Sequence, residues 1–180
     1  MAVKKIHTDK EKILREKSIK VDFNDPDLSN QILDMVDTLR ALPGYGLAAP
    51  QIGIQKSIVV IENEGRVDEE GTVISEKLPL TILINPTIAK FSKETCDFEE
   101  GCFSVPGYRG NVVRPKKIKA IAFNEKGQII KINASGLFSR VLQHEIDHIN
   151  GILFIDLIKD KSLLIPNEPD EAWKELIYNE

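Results

Sequence analysis

Ser135-Gly136-Leu137-Phe138-Ser139-Arg140-Val141-Leu142-Gln143-His144-Glu145-Ile146-Asp147-His148-Ile149, followed by Asn150-Gly151, reads as one helix with its own stop signal. Leu137, Phe138, Val141, Leu142, Glu145 and His148 recur at three- and four-residue spacing and share one broad face, and a glycine just past the last periodic residue suits a helix C-terminus. Residues four apart project from the same side of a helix, so the imidazoles of His144 and His148 can reach a single ion. Glu145 then sits beside that ion without ligating it, placed to hold a water and take its proton.

Outward from this helix the chain turns to strands. Residues 117–123 and 128–133 flank Asn124-Glu125-Lys126-Gly127, a good hairpin turn. Residues 57–61 are β-branched and short enough for a buried strand, and 80–84 and 87–91 read as two more across Asn85-Pro86. Between the first two of these, 62–77 is charged and carries two glycines, which predicts a mobile loop. Near the start, Thr8-Asp9-Lys10-Glu11 has capping-box spacing and opens a short helix containing Ile13 and Leu14. After Asn24-Asp25-Pro26, with Asn24 or Asp25 as cap, Leu28, Ile32, Met35, Val36 and Leu39 repeat at helical spacing until Pro43-Gly44. Residues 169–178 read as a C-terminal helix with Pro169 in its first turn and Trp173, Leu176 and Ile177 as a stripe. Strands clustered between helices, rather than alternating with them, predict an α+β domain.

A length of 180 residues predicts one domain over 1–180. With 42% hydrophobic and 29% charged residues the composition is that of a soluble globular protein. No apolar run approaches a membrane span and the first residues lack the apolar core of a signal peptide, so no membrane partner is expected and the expected address is the cytoplasm. Twenty-four Lys and Arg against 28 Asp and Glu give net −4, which offers no broad reason to bind nucleic acid directly. Two cysteines make a disulfide framework improbable. Cys96, in Glu94-Thr95-Cys96, reads as a small buried hydrophobe.

The third ligand decides the chemistry. A metzincin places a histidine six residues past the second, but Phe154 stands there. A zinc endopeptidase using His144, His148 and a downstream carboxylate has Glu168 at a suitable distance; its setting, Pro166-Asn167-Glu168-Pro169, is the edge of a helix rather than its interior, and 152–158 reads as extended. Cys102 is the better candidate, because it lies in Glu100-Gly101-Cys102-Phe103-Ser104 with glycine beside it. A thiolate and two neutral imidazoles leave a divalent ion an open position for water. A further segment, Gly44-Tyr45-Gly46-Leu47-Ala48-Ala49-Pro50-Gln51, joins two glycines to an amide: Gln51 can donate to a developing oxyanion while the glycines admit an extended peptide.

Together these three segments resemble those of the peptide deformylases. The family patterns G-x-G-x-A-A-x-Q, E-G-C-x-S and Q-H-E-x-D-H are matched in that order at Gly44 to Gln51, Glu100 to Ser104 and Gln143 to His148, and the resemblance runs from the first helix to about Asp156. It implies partly wrapped antiparallel sheets around a central metal-binding helix, with N-terminal and C-terminal helices. It also implies hydrolysis of the N-formyl group from the initiator N-formylmethionine of newly synthesised proteins, with release of formate. Carried over residue by residue, it makes Cys102, His144 and His148 the metal ligands and Glu145 the acid/base, and it lines the oxyanion site with Gln51 and the Phe103 N–H.

The resemblance further implies Fe2+ as the native ion, whereas ligand type alone suggests Zn2+, and a purified sample can carry Zn2+, Ni2+ or Co2+. It sets the methionine side chain against Tyr45, Phe98, Leu137, Val141 and the His144 ring, and the peptide backbone along Gly46 and the segment after Cys102. Tyr45 stands where an aliphatic residue is usual and Phe103 where leucine is. It implies that Glu100 pairs with Arg114, and Asp147, about 200° around the helix from Glu145, is a candidate supporting carboxylate. The substrate class implies proximity to the ribosome, but Glu168, Asp170, Glu171, Glu175 and Glu180 make the tail acidic, which argues against docking there through it.

Overall fold

Ile58-Val59-Val60-Ile61 is apolar at every residue because the strand it forms is covered on both sides. The computed structural model describes residues 2–178. In chain order its elements are helix α1 (Leu28–Arg40), strands β1 (Gly46–Ala48), β2 (Ile58–Asn63), β3 (Arg66–Val67), β4 (Val73–Ser75), β5 (Leu78–Phe91), β6 (Thr95–Gly101), β7 (Gly107–Pro115), β8 (Lys117–Phe123) and β9 (Ile129–Ser135), helix α2 (Gly136–Ile149), strand β10 (Ile165–Asn167) and helix α3 (Glu171–Tyr178). An antiparallel sheet runs β1-β2-β5-β8-β9, a second runs β10-β7-β6, and β3 and β4 form a small hairpin. The α+β class read from the sequence is what the chain adopts.

Successive side chains leave a strand on opposite faces. Ile58, Val60 and Ile84 therefore join one core with α1, through Leu28, Ile32, Met35, Val36 and Leu39. Val59, Ile61 and Leu83 join the other with α2, through Val141, Leu142, Ile146 and Ile149. Each such side chain, fully buried, contributes about 1.5–3 kcal/mol. This sandwiching fixes α2 against the large sheet. A third cluster, Cys102, Val105, Val112, Leu153, Phe154 and Ile158, packs the second sheet behind the end of α2.

Several local expectations change. The two strands expected at 80–84 and 87–91 are one strand, β5, with a register shift between Ile84 and Thr87. Asn85 takes φ 52° there; its side chain accepts from Val21 N at 2.9 Å and donates to Val21 O at 3.3 Å, so the kink is absorbed without ending the strand. The loop expected over 62–77 contains the β3–β4 hairpin. Near the start, Glu11 Oε1 accepts from Thr8 N at 3.0 Å, but the chain then makes a single 3₁₀ turn, Lys12–Arg15, in place of a helix. The first long helix starts at Leu28, with Asp25 Oδ1 accepting from Asp27 N at 3.1 Å, so neither Asn24 nor Asp25 caps it directly. Residues 152–158 are not extended: Asp156 Oδ2 accepts from Leu153 N at 2.8 Å and closes the 3₁₀ turn Phe154–Leu157. Cys96 is exposed, not buried, because it lies on an open face of β6. The C-terminal helix starts two residues after Pro169, and Glu180 lies outside the described residues.

Candidate active site

Helix α2 brings His144 and His148 together with ring centroids 5.0 Å apart. Cys102 arrives from the other direction, immediately after β6, and its Sγ lies 3.1 Å from His148 Nε2. One ligating atom from each of Cys102, His144 and His148 falls within 4.8 Å of the others. Glu168 does not join this group; it is exposed at the rim of the adjoining cleft, so the ligand set of the endopeptidase alternative is not assembled.

The ring of His144 is oriented by Glu100. Glu100 Oε2 lies 2.9 Å from His144 Nδ1; a carboxylate can only accept, so Nδ1 carries the proton and Nε2 is left to ligate. Glu100 is itself saturated: Arg114 donates Nε to Oε1 at 2.6 Å and Nη2 to Oε2 at 3.0 Å, and Arg140 donates to Oε1 at 2.5 Å. Arg114 also donates Nη1 to Asp147 Oδ2 at 2.7 Å, which gives Asp147 a supporting place through Arg114. Two carboxylates and two guanidiniums cancel, so the largely buried cluster carries no net charge. Burial alone would raise the Glu100 carboxyl, but the hydrogen bonds from His144 and Arg114 outweigh it and hold the pKa at about 2.

Glu145 is the opposite case. It is 4% exposed and its Oε2 has no hydrogen-bond partner among the described residues. Burial pushes its pKa up to about 7. His148 is held well below its ordinary pKa by burial, hence neutral as a ligand must be, and its Nδ1 is likewise unpartnered among the described residues. Gly46 has no side chain for a reason: a Cβ there would stand 2.6 Å from Glu145 Oε1. At Gly44 a Cβ would strike the Phe103 ring at 2.1 Å. Side chains at these two positions would therefore collide with Glu145 and Phe103.

Gln51, 1% exposed, is clamped by its carbonyl, which accepts from Ala48 N at 2.8 Å. Its Nε2 then points to Ser104 Oγ at 3.2 Å and toward Cys102 Sγ at 3.7 Å. The Phe103 carbonyl accepts from Trp173 Nε1 at 2.9 Å. Gln51, Cys102, Phe103 and Trp173 border a cleft of about 430 Å³ that is also lined by Gly44, Tyr45, Gly46, Phe98, Leu137 and Val141. Sequence reading did not find Arg140, which lies four residues before His144 on α2. Its guanidinium binds Glu100, Val112 O and Cys96 O and stacks 5.6 Å from the centre of the Phe98 ring. The available signal was an arginine on the helix face that otherwise turns inward. The cleft wall formed by Asn167, Glu168, Asp170 and Trp173 was also not anticipated.

A thiol, two imidazoles and a buried carboxylate with a free oxygen form a donor set that fits a divalent transition metal with a position left for water, and at the floor of a peptide-sized cleft they define a metallohydrolase. Residues 3–163 match the polypeptide deformylase family. The chain is 42% identical over 174 residues to a peptide deformylase of Thermomicrobium roseum, covering 96% of both chains. A Met-Ala-Ser-bound class I type b peptide deformylase from Acinetobacter baumannii superposes with TM-score 0.78 at 31% identity, covering 87% of this chain and 98% of that one. A probable peptide deformylase from synechococcus phage S-SSM7 superposes with TM-score 0.72 at 40% identity, covering 85% and 98%. The chain belongs to the polypeptide deformylase family, whose members are metal-dependent enzymes that act on formylated peptides.

Proposed function

We propose that this chain removes the N-formyl group from the initiator N-formylmethionine of newly synthesised proteins, releasing formate and a free α-amino group. The observation that carries the proposal is the unpartnered, buried Oε2 of Glu145 beside the convergent Cys102, His144 and His148. The tripeptide Met-Ala-Ser bound to the A. baumannii relative, a peptide beginning with unformylated methionine, supports the same substrate class. Cys102, His144 and His148 would hold a divalent ion, Fe2+ natively and Zn2+, Ni2+ or Co2+ in its place, and that ion would supply Lewis acidity.

Glu145 takes the proton of the attacking water and returns it to the amine nitrogen as the C–N bond breaks; a carboxyl raised toward neutrality can do both. Gln51 Nε2 and the Phe103 N–H donate to the oxygen that becomes negative, Gln51 being pre-aimed by the anchor on Ala48 N. Tyr45, Phe98, Leu137 and Val141 receive the methionine side chain, and the peptide backbone lies along Gly46 and the segment after Cys102. The whole chain, 1–180, serves as one catalytic domain that works in the cytoplasm near the ribosome. The acidic tail argues against docking there through it. No helix among the described residues is long and apolar enough to cross a membrane. Formate release from formyl-Met-Ala-Ser, assayed anaerobically with Fe2+, tests reaction and metal together: turnover is expected, and no turnover with any divalent ion overturns the proposal.

A further inference from the structure

The match to the family ends at residue 163, yet the chain beyond it builds one wall of the cleft. Strand β10 adds to β7 in antiparallel register, Asn167 opposite Gly107. Asp170 Oδ1 then accepts from Trp173 N at 2.8 Å and starts α3. Trp173 locks the wall in place: it is 6% exposed, donates to the Phe103 carbonyl and sets its ring edge-on to Phe103 with centroids 6.0 Å apart. The wall is thus tied to the residue that comes after Cys102.

Two carboxylates stand on this wall. Glu168 and Asp170 line the cleft and are exposed, and among the described residues neither is in an ion pair. A third lining carboxylate, Glu99, is already paired with Arg109 at 3.2 Å. The guanidinium in the cleft, Arg140, is committed to Glu100 and two backbone carbonyls. The open side of the cleft is therefore negative. Cys102, His144 and Glu145 line the same cleft but are largely shielded from water, whereas Glu168 and Asp170 face it, so a peptide whose formyl group reaches the former has its next residues on the side of the latter.

We propose that Glu168 and Asp170 are specificity-determining residues that select formylated peptides carrying Lys or Arg at the positions after methionine. This rests on the deformylase reading above and adds the charge of the substrate to it. The attraction acts before and during reaction alike, so it appears in kcat/KM rather than in kcat, and salt screens it because both carboxylates face water.

The test compares formyl-Met-Ala-Ser, formyl-Met-Lys-Lys and formyl-Met-Glu-Glu on the metal-loaded full chain and on the Glu168→Gln, Asp170→Asn double variant; asparagine still caps α3. At low salt we expect kcat/KM for the Lys peptide to exceed that for the Glu peptide by at least about fivefold, the size expected of a few exposed charge pairs, with the ratio falling toward one in 1 M salt. In the double variant the ratio falls toward one at low salt as well. Equal kcat/KM for the two charged peptides in the unaltered chain, or a ratio that survives in the double variant, overturns the charge selection while turnover of formyl-Met-Ala-Ser leaves the deformylase reading standing. No formate from any peptide overturns that reading and this one with it.

Discussion

Two buried glutamates flank His144 and are built in opposite ways. Glu100 receives hydrogen bonds from Arg114, Arg140 and His144 on both oxygens, and its pKa falls to about 2. Glu145, next to His144 in the chain, is equally buried but keeps an oxygen without a partner among the described residues, and its pKa rises to about 7. Both are glutamates with little exposure, so the donors and cations around Glu100, missing at the free oxygen of Glu145, make most of the difference. A carboxylate saturated with donors can only hold others in place; one left unsatisfied has capacity for a proton. The fold thus separates scaffold from chemistry within one shell of side chains.

Breaking the saturated side should have the largest effect on stability. Arg114→Met leaves buried Glu100 and half-buried Asp147 with too few donors, and removing one member of a buried ion pair costs about 3–5 kcal/mol. Urea unfolding should show that loss; a change below about 1 kcal/mol would mean that Arg140 and His144 suffice. On the unsaturated side, Gln51→Leu removes the donor proposed to meet charge that develops only after attack, so kcat should fall about 10²–10³-fold while metal content is retained. If the variant loses its metal with Cys102 intact, Gln51 supports the ion and the oxyanion assignment is wrong.

A smaller, graded effect comes from acid. The Glu100 carboxyl is depressed from 4.5 to about 2 on folding, so its contribution is complete above pH 5 and drains away as pH falls from 4.5 through 2. That contribution is on the order of 3 kcal/mol. Unfolding free energies of the metal-free chain and of Glu100→Gln should therefore converge between pH 5 and pH 2; parallel curves would contradict the assignment.

The legibility of these two sides in the sequence differed for physical reasons. His144, Glu145 and His148 could be placed because a helix imposes a fixed period, and Cys102 because glycine and serine flank it in a recognisable run. Arg140 was passed over because periodicity counts apolar residues, and a buried arginine is explained only by its partners, which come from strands 28 to 44 residues earlier. Asn85-Pro86 looked like a strand end because proline breaks a ladder, but Asn85 tolerates positive φ and bonds Val21 across 64 residues. The cleft wall of β10 and α3 depends on Trp173 meeting Phe103 across 70 residues, a contact with no local signal.

The division between the two glutamates is tested most directly by making the same substitution at each and measuring formate release, metal content and unfolding free energy on both variants. Glu145→Gln should keep its metal and its stability, with turnover lower by at least about 10²–10⁴-fold. In the metal-free chain above pH 7 it should be more stable than the parent, because a carboxyl raised to about 7 by folding works against the folded state once ionised. Glu100→Gln should instead lose stability and weaken metal retention through the freed His144 ring. Near-normal turnover in metal-loaded Glu145→Gln, or a Glu145→Gln chain that unfolds as readily as Glu100→Gln, would contradict the account.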